Sequence, residues 1–296
     1  VAAGFRTEYD LAFHRSGELF TYDSDMEWDV GLPWYRPTRV NHVVPGAEFG
    51  WRSGWAKWPS YYPDSLPAVA DIGRGSPTGV EFYQHRMFPV RYHDALFVAD
   101  WSFGRIHVVR LTESGGSYTA ETEVFLQGRP LNVTDLAVGP DGWLYFSTGG
   151  RGTEGGVYRV VWTGKVPPLG PASGVAEALR QPQIYSAWGR NRVAKISQAE
   201  GNRWNGQIVA AARNTRLNPV QRTRALDLMQ LVGPFPTAEL LIALSQDPDA
   251  HVRAKAAYHM GLHVSEATGA RLVAMLADPE PRVRRIVCES LVRAGH

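Results

Sequence analysis

Residues 134–160, TDLAVGPDGWLYFSTGGRGTEGGVYRV, decide how the first half of the chain is read. Asp135 opens an alternating apolar run through Leu136 and Val138, which stops at a turn made by Pro140, Asp141 and Gly142. A second run passes through Leu144 and Phe146, and a glycine-rich loop leads to a third, from Val157 to Val160. Asp-Gly between alternating apolar runs is a strong hairpin signal, so the stretch outlines one antiparallel meander. Residues 10–23, DLAFHRSGELFTYD, repeat it position for position: Asp10 with Asp135, Gly17 with Gly142, Leu19 with Leu144. A looser copy starts at Gly79 (GVEF) and reaches ALFVADW at Ala95–Trp101. Repetition of small antiparallel sheets predicts a β-propeller.

The C-terminal end repeats with different physics. ELLIALSQDPDAHVRAKAAYHM (239–260) and ARLVAMLADPEPRVRRIVCESL (270–291) superimpose at a spacing of 31. Leu241 falls on Leu272, Asp247 on Asp278, Pro248 on Pro279 and Arg253 on Arg284, and a fainter copy brings Arg222 into register with Arg253. Asp247 and Asp278 are the expected N-caps, with Pro at the first helical position, where its missing N–H costs nothing. Val and Ala then recur at helical spacing, so paired helices should stack into an α-solenoid. The pattern is HEAT-like, with a period shorter than the roughly 40 residues usual for that class.

Composition narrows the function classes. A net charge of +2 and no Lys/Arg run longer than two argue against a nucleic-acid groove. No stretch approaches the roughly 18 apolar residues of a membrane span. Trp and Tyr concentrate before residue 163, where they suit packing between sheets or stacking on a sugar ring. Cys288 stands alone on the apolar face of the last helix and is expected to be a buried, inert thiol. No cysteine pattern for disulfides, zinc or covalent haem occurs.

The organisation expected is an α+β multidomain protein: a partial β-propeller over 1–162, a Pro/Gly linker (TGKVPPLGPAS) over 163–173, a helical connector over 174–213 and the HEAT-like α-solenoid over 214–296. About three meanders are present where about four are needed to close a propeller. The chain also opens mid-pattern with Val1, and so reads as a fragment.

GFRTEYDLAFHRSGELFTYDSD and PTRVNHVVPGAEFGWRSG, within residues 4–54, resemble the soluble glucose/sorbosone (aldose sugar) dehydrogenase propellers. The matching positions are Gly4, Arg6, Leu11 to Phe13, the acidic stretch Asp23 to Asp29, and Phe49, Gly50 and Trp51. MEWDVGLPWYRPTRV, YYPDSLP, DIGRGSPTG and GGRGTEGGVYRV resemble a subgroup that joins such a propeller to HEAT repeats and often to a c-type haem domain, which is not in this chain. The resemblance implies pyrroloquinoline quinone over the central channel, calcium near it, a sugar substrate, and a periplasmic or extracellular location. It carries Arg6 to a place near quinone and substrate. Thr7 stands where that family has Asn, and Leu131, Asn132 and Val133 stand where it has cofactor-binding arginines. The base His belongs to a meander this chain lacks, so no catalytic residue is assigned.

The residues themselves suggest sites beside the resemblance. Asp23, Asp25, Glu27 and Asp29 alternate along a loop after a strand, so their oxygens could converge on a hard cation such as calcium; Arg36 and Arg39 could equally neutralise them. Asp10 and Asp135 each open a meander's first strand, either lining a channel or bonding backbone amides. With Arg6 and Arg39 they are the candidate cofactor-binding residues. Asp100 to Ser102 end a strand where they could line the same face, and Arg151 could meet an anion. Three functions stay open: a quinoprotein-like sugar dehydrogenase module, a non-catalytic binder of glycan or protein, and an interaction scaffold docking a protein partner through the solenoid.

Overall fold

The computed structural model describes residues 2–26, 35–53, 58–59 and 61–295. They fall into two compact units, Val1–Pro167 and Pro168–His296. The first holds three antiparallel sheets in chain order. Sheet one is β1 (Glu8–Phe13), β2 (Leu19–Asp23), β3 (Thr38–Val43) and β4 (Ala70–Gly73). Sheet two is β5 (Pro77–Tyr83), β6 (Ala95–Asp100), β7 (Arg105–Ser114) and β8 (Ser117–Gln127). Sheet three is β9 (Val133–Val138), β10 (Leu144–Gly150) and β11 (Thr153–Val160).

Each is a meander, and local chemistry explains why. The turns predicted from Gly17 and Gly142 have φ of +94° and +82°, which a residue with a Cβ resists. Register then puts Phe146 opposite Leu136 and Tyr158 on one face, and Ser147 opposite Asp135 and Val157 on the other.

That alternation makes two apolar layers. Phe20, Tyr22 and Val40 of sheet one meet Val80, Phe82, Leu96 and Val98 of sheet two. On the other face of sheet two, Tyr83, Phe97, Ile106 and Val108 meet Leu136, Val138, Leu144 and Phe146 of sheet three. The first strands lie side by side, β1 along β5 and β5 along β9. Among the described residues the sheets form an open series, not a closed ring. Tyr9, Leu11 and Phe13 of β1 therefore stay 65, 54 and 46% exposed, while Ala12 on the opposite face is buried against sheet two.

Residues 161–173 contain neither helix nor strand. The second unit is helical: α1 (Gly174–Ala178), α2 (Ala187–Glu200), α3 (Arg203–Arg213), α4 (Pro219–Val232), α5 (Ala238–Leu244), α6 (Ala250–Met260), α7 (Glu266–Met275) and α8 (Pro281–Arg293). They share one core that includes Trp204, Leu226, Leu241, Val252, Leu272 and Val283. The helix starts in the repeat differ from expectation by two residues. The N-cap of α6 is Asp249 and that of α8 is Glu280, while Asp247 and Asp278 accept the backbone N–H of Asp249 and Glu280. The reason is competition: the two earlier carboxylates are taken by arginines, Asp247 by Arg222 and Asp278 by Arg253. Cys288 is exposed, contrary to the expectation of a buried thiol. It lies on the flank of α8 whose counterpart in the preceding repeat, Ala257, is fully buried.

Candidate functional site

The first strands bring together residues far apart in sequence. Asp10 Oδ1 accepts the N–H of Leu11 at 2.7 Å and Oδ2 accepts the N–H of Val80, in the next sheet, at 3.0 Å. One carboxylate thus ties β1 to β5. Asp135, its counterpart on β9, repeats the first half: Oδ1 accepts the N–H of Leu136 at 2.8 Å. Its Oδ2 has no hydrogen-bond partner among the described residues, and the side chain is exposed. Burial is the largest influence raising the Asp135 carboxyl above its usual range; the Leu136 N–H opposes it and the negative charge of Asp10 adds to it. Between the two aspartates, β5 carries Gly79, where a Cβ would stand 2.7 Å from the Cα of Asp135. The sheets alternate aspartate, glycine, aspartate along this line.

A second group surrounds Asp23, which is fully buried at the end of β2. Its carboxylate accepts the N–H of Arg6 at 3.1 Å, of Thr7 at 2.9 Å and of Ser24 at 2.9 Å, and meets Arg39 Nη2 at 3.4 Å. It latches the N-terminal segment onto sheet one. Arg39 is 1% exposed and also donates to the carbonyl of Phe49 at 2.9 Å. Burial lowers its guanidinium below the usual arginine range, and Asp23 opposes that shift. Arg6 is half-buried, and Asp25 is buried next to Met26, which pairs with Arg36. Glu27 and Asp29 lie outside the described residues. No group of three or more His, Cys, Asp or Glu able to hold a metal occurs among the described residues.

The neighbouring candidates organise loops. Asp100 is buried and accepts the N–H groups of Ser76 at 2.8 Å and Ser102 at 3.0 Å. Trp101 donates Nε1 to the carbonyl of Gly149 at 2.7 Å, and Arg151 lies over its ring at 5.3 Å. Asn132, at a position where the resembling family has arginine, donates its amide to the carbonyl of Trp101 at 2.9 Å.

Two polar clusters escaped the sequence reading. His42 Nε2 meets Glu18 at 3.0 Å and its Nδ1 meets Ser117 at 3.0 Å, bracing sheet one against sheet two. In the helical unit Lys255 donates to Asp227 at 2.9 Å, with His259 3.8 Å from the same oxygen and all three buried. Burial opposes the charged form of Asp227, but Lys255 and His259 outweigh it and hold the carboxyl below its usual range. Burial also lowers His259 and keeps its imidazole neutral. His42 and Ser117 pair across 75 residues, a separation no local pattern reports.

The helices carry the firmest comparison with known proteins. The family model described as HEAT repeats matches residues 237–296. This end of the chain is built of HEAT repeats. No curated protein matches the chain. Among solved structures, similarity is found to a glucose dehydrogenase of Thermus thermophilus, with 24% identity, TM-score 0.42, and coverage of 53% of this chain and 46% of that one. The PQQ-bound aldose sugar dehydrogenase of Streptomyces coelicolor gives 18%, 0.40, 54% and 44% in the same order. The soluble aldose sugar dehydrogenase of Escherichia coli, in its apo form, gives 20%, 0.39, 49% and 43%. The structural neighbours of the chain are thus glucose and aldose sugar dehydrogenases, and it spans less than half the length of each. No helix among the described residues is long and apolar enough to cross a membrane.

Proposed function

We propose that the first unit is an arc of a β-propeller that handles carbohydrate in a protein of the sugar-dehydrogenase kind, and that the HEAT repeats are its arm for binding another protein. The observation that supports this best is the open Oδ2 of Asp135 on the line of first strands, with Asp10 on the same line. Carboxylates accept hydrogen bonds from sugar hydroxyls, and this oxygen is open to the surface where a sugar could reach it. The motifs at Gly4, Arg6 and Phe49 to Trp51 support the same reading, and on that resemblance we place the protein in the periplasm or outside the cell.

Redox chemistry in this family needs pyrroloquinoline quinone, an anionic tricarboxylate suited to guanidinium forks, and the cofactor supplies the hydride acceptor. Arg6 is half-buried and is one cation against three carboxylates, so the described candidates do not fit it as a cradle. Arg39 is enclosed and engaged with Asp23 and Phe49, Asn132 is engaged with Trp101, and Asp10 and Asp135 bear the wrong charge. Asp23 is likewise engaged by three backbone N–H groups, so calcium held there would have to displace them. We therefore assign binding, not oxidation, to this chain; quinone and calcium would need residues beyond those described. The alternative, a scaffold that binds protein alone, gains from the same engagement of Asp10 and Asp23 with backbone amides.

Two measurements separate these. Dye reduction with aldoses, quinone and calcium should show no turnover by this chain, and sugar-dependent reduction would overturn the assignment of binding alone. Saturation-transfer NMR against a panel of mono- and oligosaccharides should show binding that Asp135→Ala weakens. A panel with no binder would leave the scaffold.

A further inference from the structure

His42 is held by both of its ring nitrogens. Nε2 meets Glu18 Oε2 and Nδ1 meets Ser117 Oγ, each at 3.0 Å. A carboxylate only accepts, so Nε2 carries the ring proton and Nδ1 offers the lone pair that receives the hydroxyl proton of Ser117. The three side chains therefore run serine, imidazole, carboxylate, the order in which a hydroxyl is activated by a base that a carboxylate orients. His42 and Glu18 are 4 and 8% exposed. Phe20 stacks on the imidazole at 5.0 Å and Tyr118 meets it edge-on at 5.1 Å, which fixes the plane of the ring.

The elements that place these residues enclose the base and leave the hydroxyl an open side. Glu18 precedes β2, His42 lies in β3, and Ser117 follows the turn of Gly115 and Gly116 into β8. All belong to sheets one and two, which pack on each other. Ser117 is half-buried, while Gly115 is exposed with φ of +56°. The N–H of Gly115 has no partner among the described residues, so a donor for a developing acyl oxygen stands two residues from the hydroxyl. Arg105 of β7 pairs with Asp100 and Ser114 with Ser117, which puts this cluster at the end of sheet two away from Asp100 and Trp101.

We propose that Ser117 is a nucleophile for acyl transfer from small carboxylic esters, with His42 as its base and Glu18 as the residue that positions the base. Oγ forms a bond to the acyl carbon while its proton passes to His42 Nδ1. The tetrahedral centre collapses, its bond to the alcohol oxygen breaks, and Nδ1 returns the proton to that oxygen. Water, deprotonated by the same nitrogen, then attacks the acyl-serine and releases the carboxylic acid. The half-buried hydroxyl favours a short acyl chain. None of these residues enters the carbohydrate reading, and the proposal stands or falls apart from it.

A fluorophosphonate reagent tests it, since a serine oxygen displaces fluoride from phosphorus at useful rates only when a base takes its proton. The folded full chain should be labelled at Ser117, located by peptide mass spectrometry, and the same chain unfolded in urea should not. His42→Gln should slow labelling about a hundredfold, the usual worth of a general base, with near-ultraviolet circular dichroism checking that the sheets stay packed. Should that variant unfold, the comparison of folded and urea-treated wild type still decides. p-Nitrophenyl acetate should be hydrolysed by the chain and spared by Ser117→Ala. Labelling no faster in the folded chain than in urea would overturn the proposal. So would labelling at another residue, labelling unchanged in a folded His42→Gln, or ester hydrolysis unchanged in Ser117→Ala.

Discussion

Gly79 and Asp10 show how two sheets are joined by single residues. A methyl at Gly79 would press on backbone, the Cα of Asp135 at 2.7 Å, which cannot rotate aside. Gly79→Ala should therefore destabilise the first unit by about 1–3 kcal/mol, the usual cost of overpacking, read as a shift in its denaturant midpoint. Asp10→Ala leaves the N–H groups of Leu11 and Val80 without their acceptor and should cost about 1–3 kcal/mol. An unchanged midpoint for Asp10→Ala would show that water replaces the carboxylate. The aspartate was legible from the repeat, because the residue opens two meanders identically, but the repeat left channel lining and amide bonding equally open. That its second oxygen reaches the next sheet was not legible, since the two ends are 70 residues apart.

At the scale of elements, the meanders and helices were readable wherever spacing alone decides. The Asp141-Gly142 turn, the Gly17 turn and two-residue alternation marked strands, and the 31-residue period marked the last two helix pairs. Helix starts were misread because Asp-Pro-Asp and Asp-Pro-Glu each offer two acids, and the choice between them depends on an arginine one repeat away. The same dependence gives a prediction. Arg253 links α6 to the turn before α8 through a partly buried pair, so Arg253→Ala with Arg284→Ala should lower the thermal midpoint of the helical unit by several degrees. Arg284 bonds only two carbonyls of its own turn and joins no other helix pair, so Arg284→Ala by itself should change little. Equal midpoints for the double variant and the wild type would count against the ladder.

Over the whole molecule, titration should act in one direction. His85 is lowered to about 4 by burial, and His107 and His259 are lowered by the same cause. A histidine whose folded value lies below its unfolded 6.5 binds its proton more readily when unfolded, so stability falls as pH drops below about 6.5. For His85 that loss continues down to about pH 4. Asp227 and Asp278, both held low, add a further loss at more acid pH, while the raised Asp135 and Glu8 offset part of it. Both units should thus melt at lower temperature at pH 5 than at pH 7. His259→Gln should flatten the dependence in the helical unit alone, because Asp227 and Lys255 do not titrate between those values; a slope unchanged by the substitution would exclude His259 as its source.

The alternation of aspartate and glycine along β1, β5 and β9 limits how such a chain can grow in evolution. A side chain at Gly79 would meet Asp135, so a copy of sheet one or three, each opening on aspartate, could not stand in for sheet two without shifting β9.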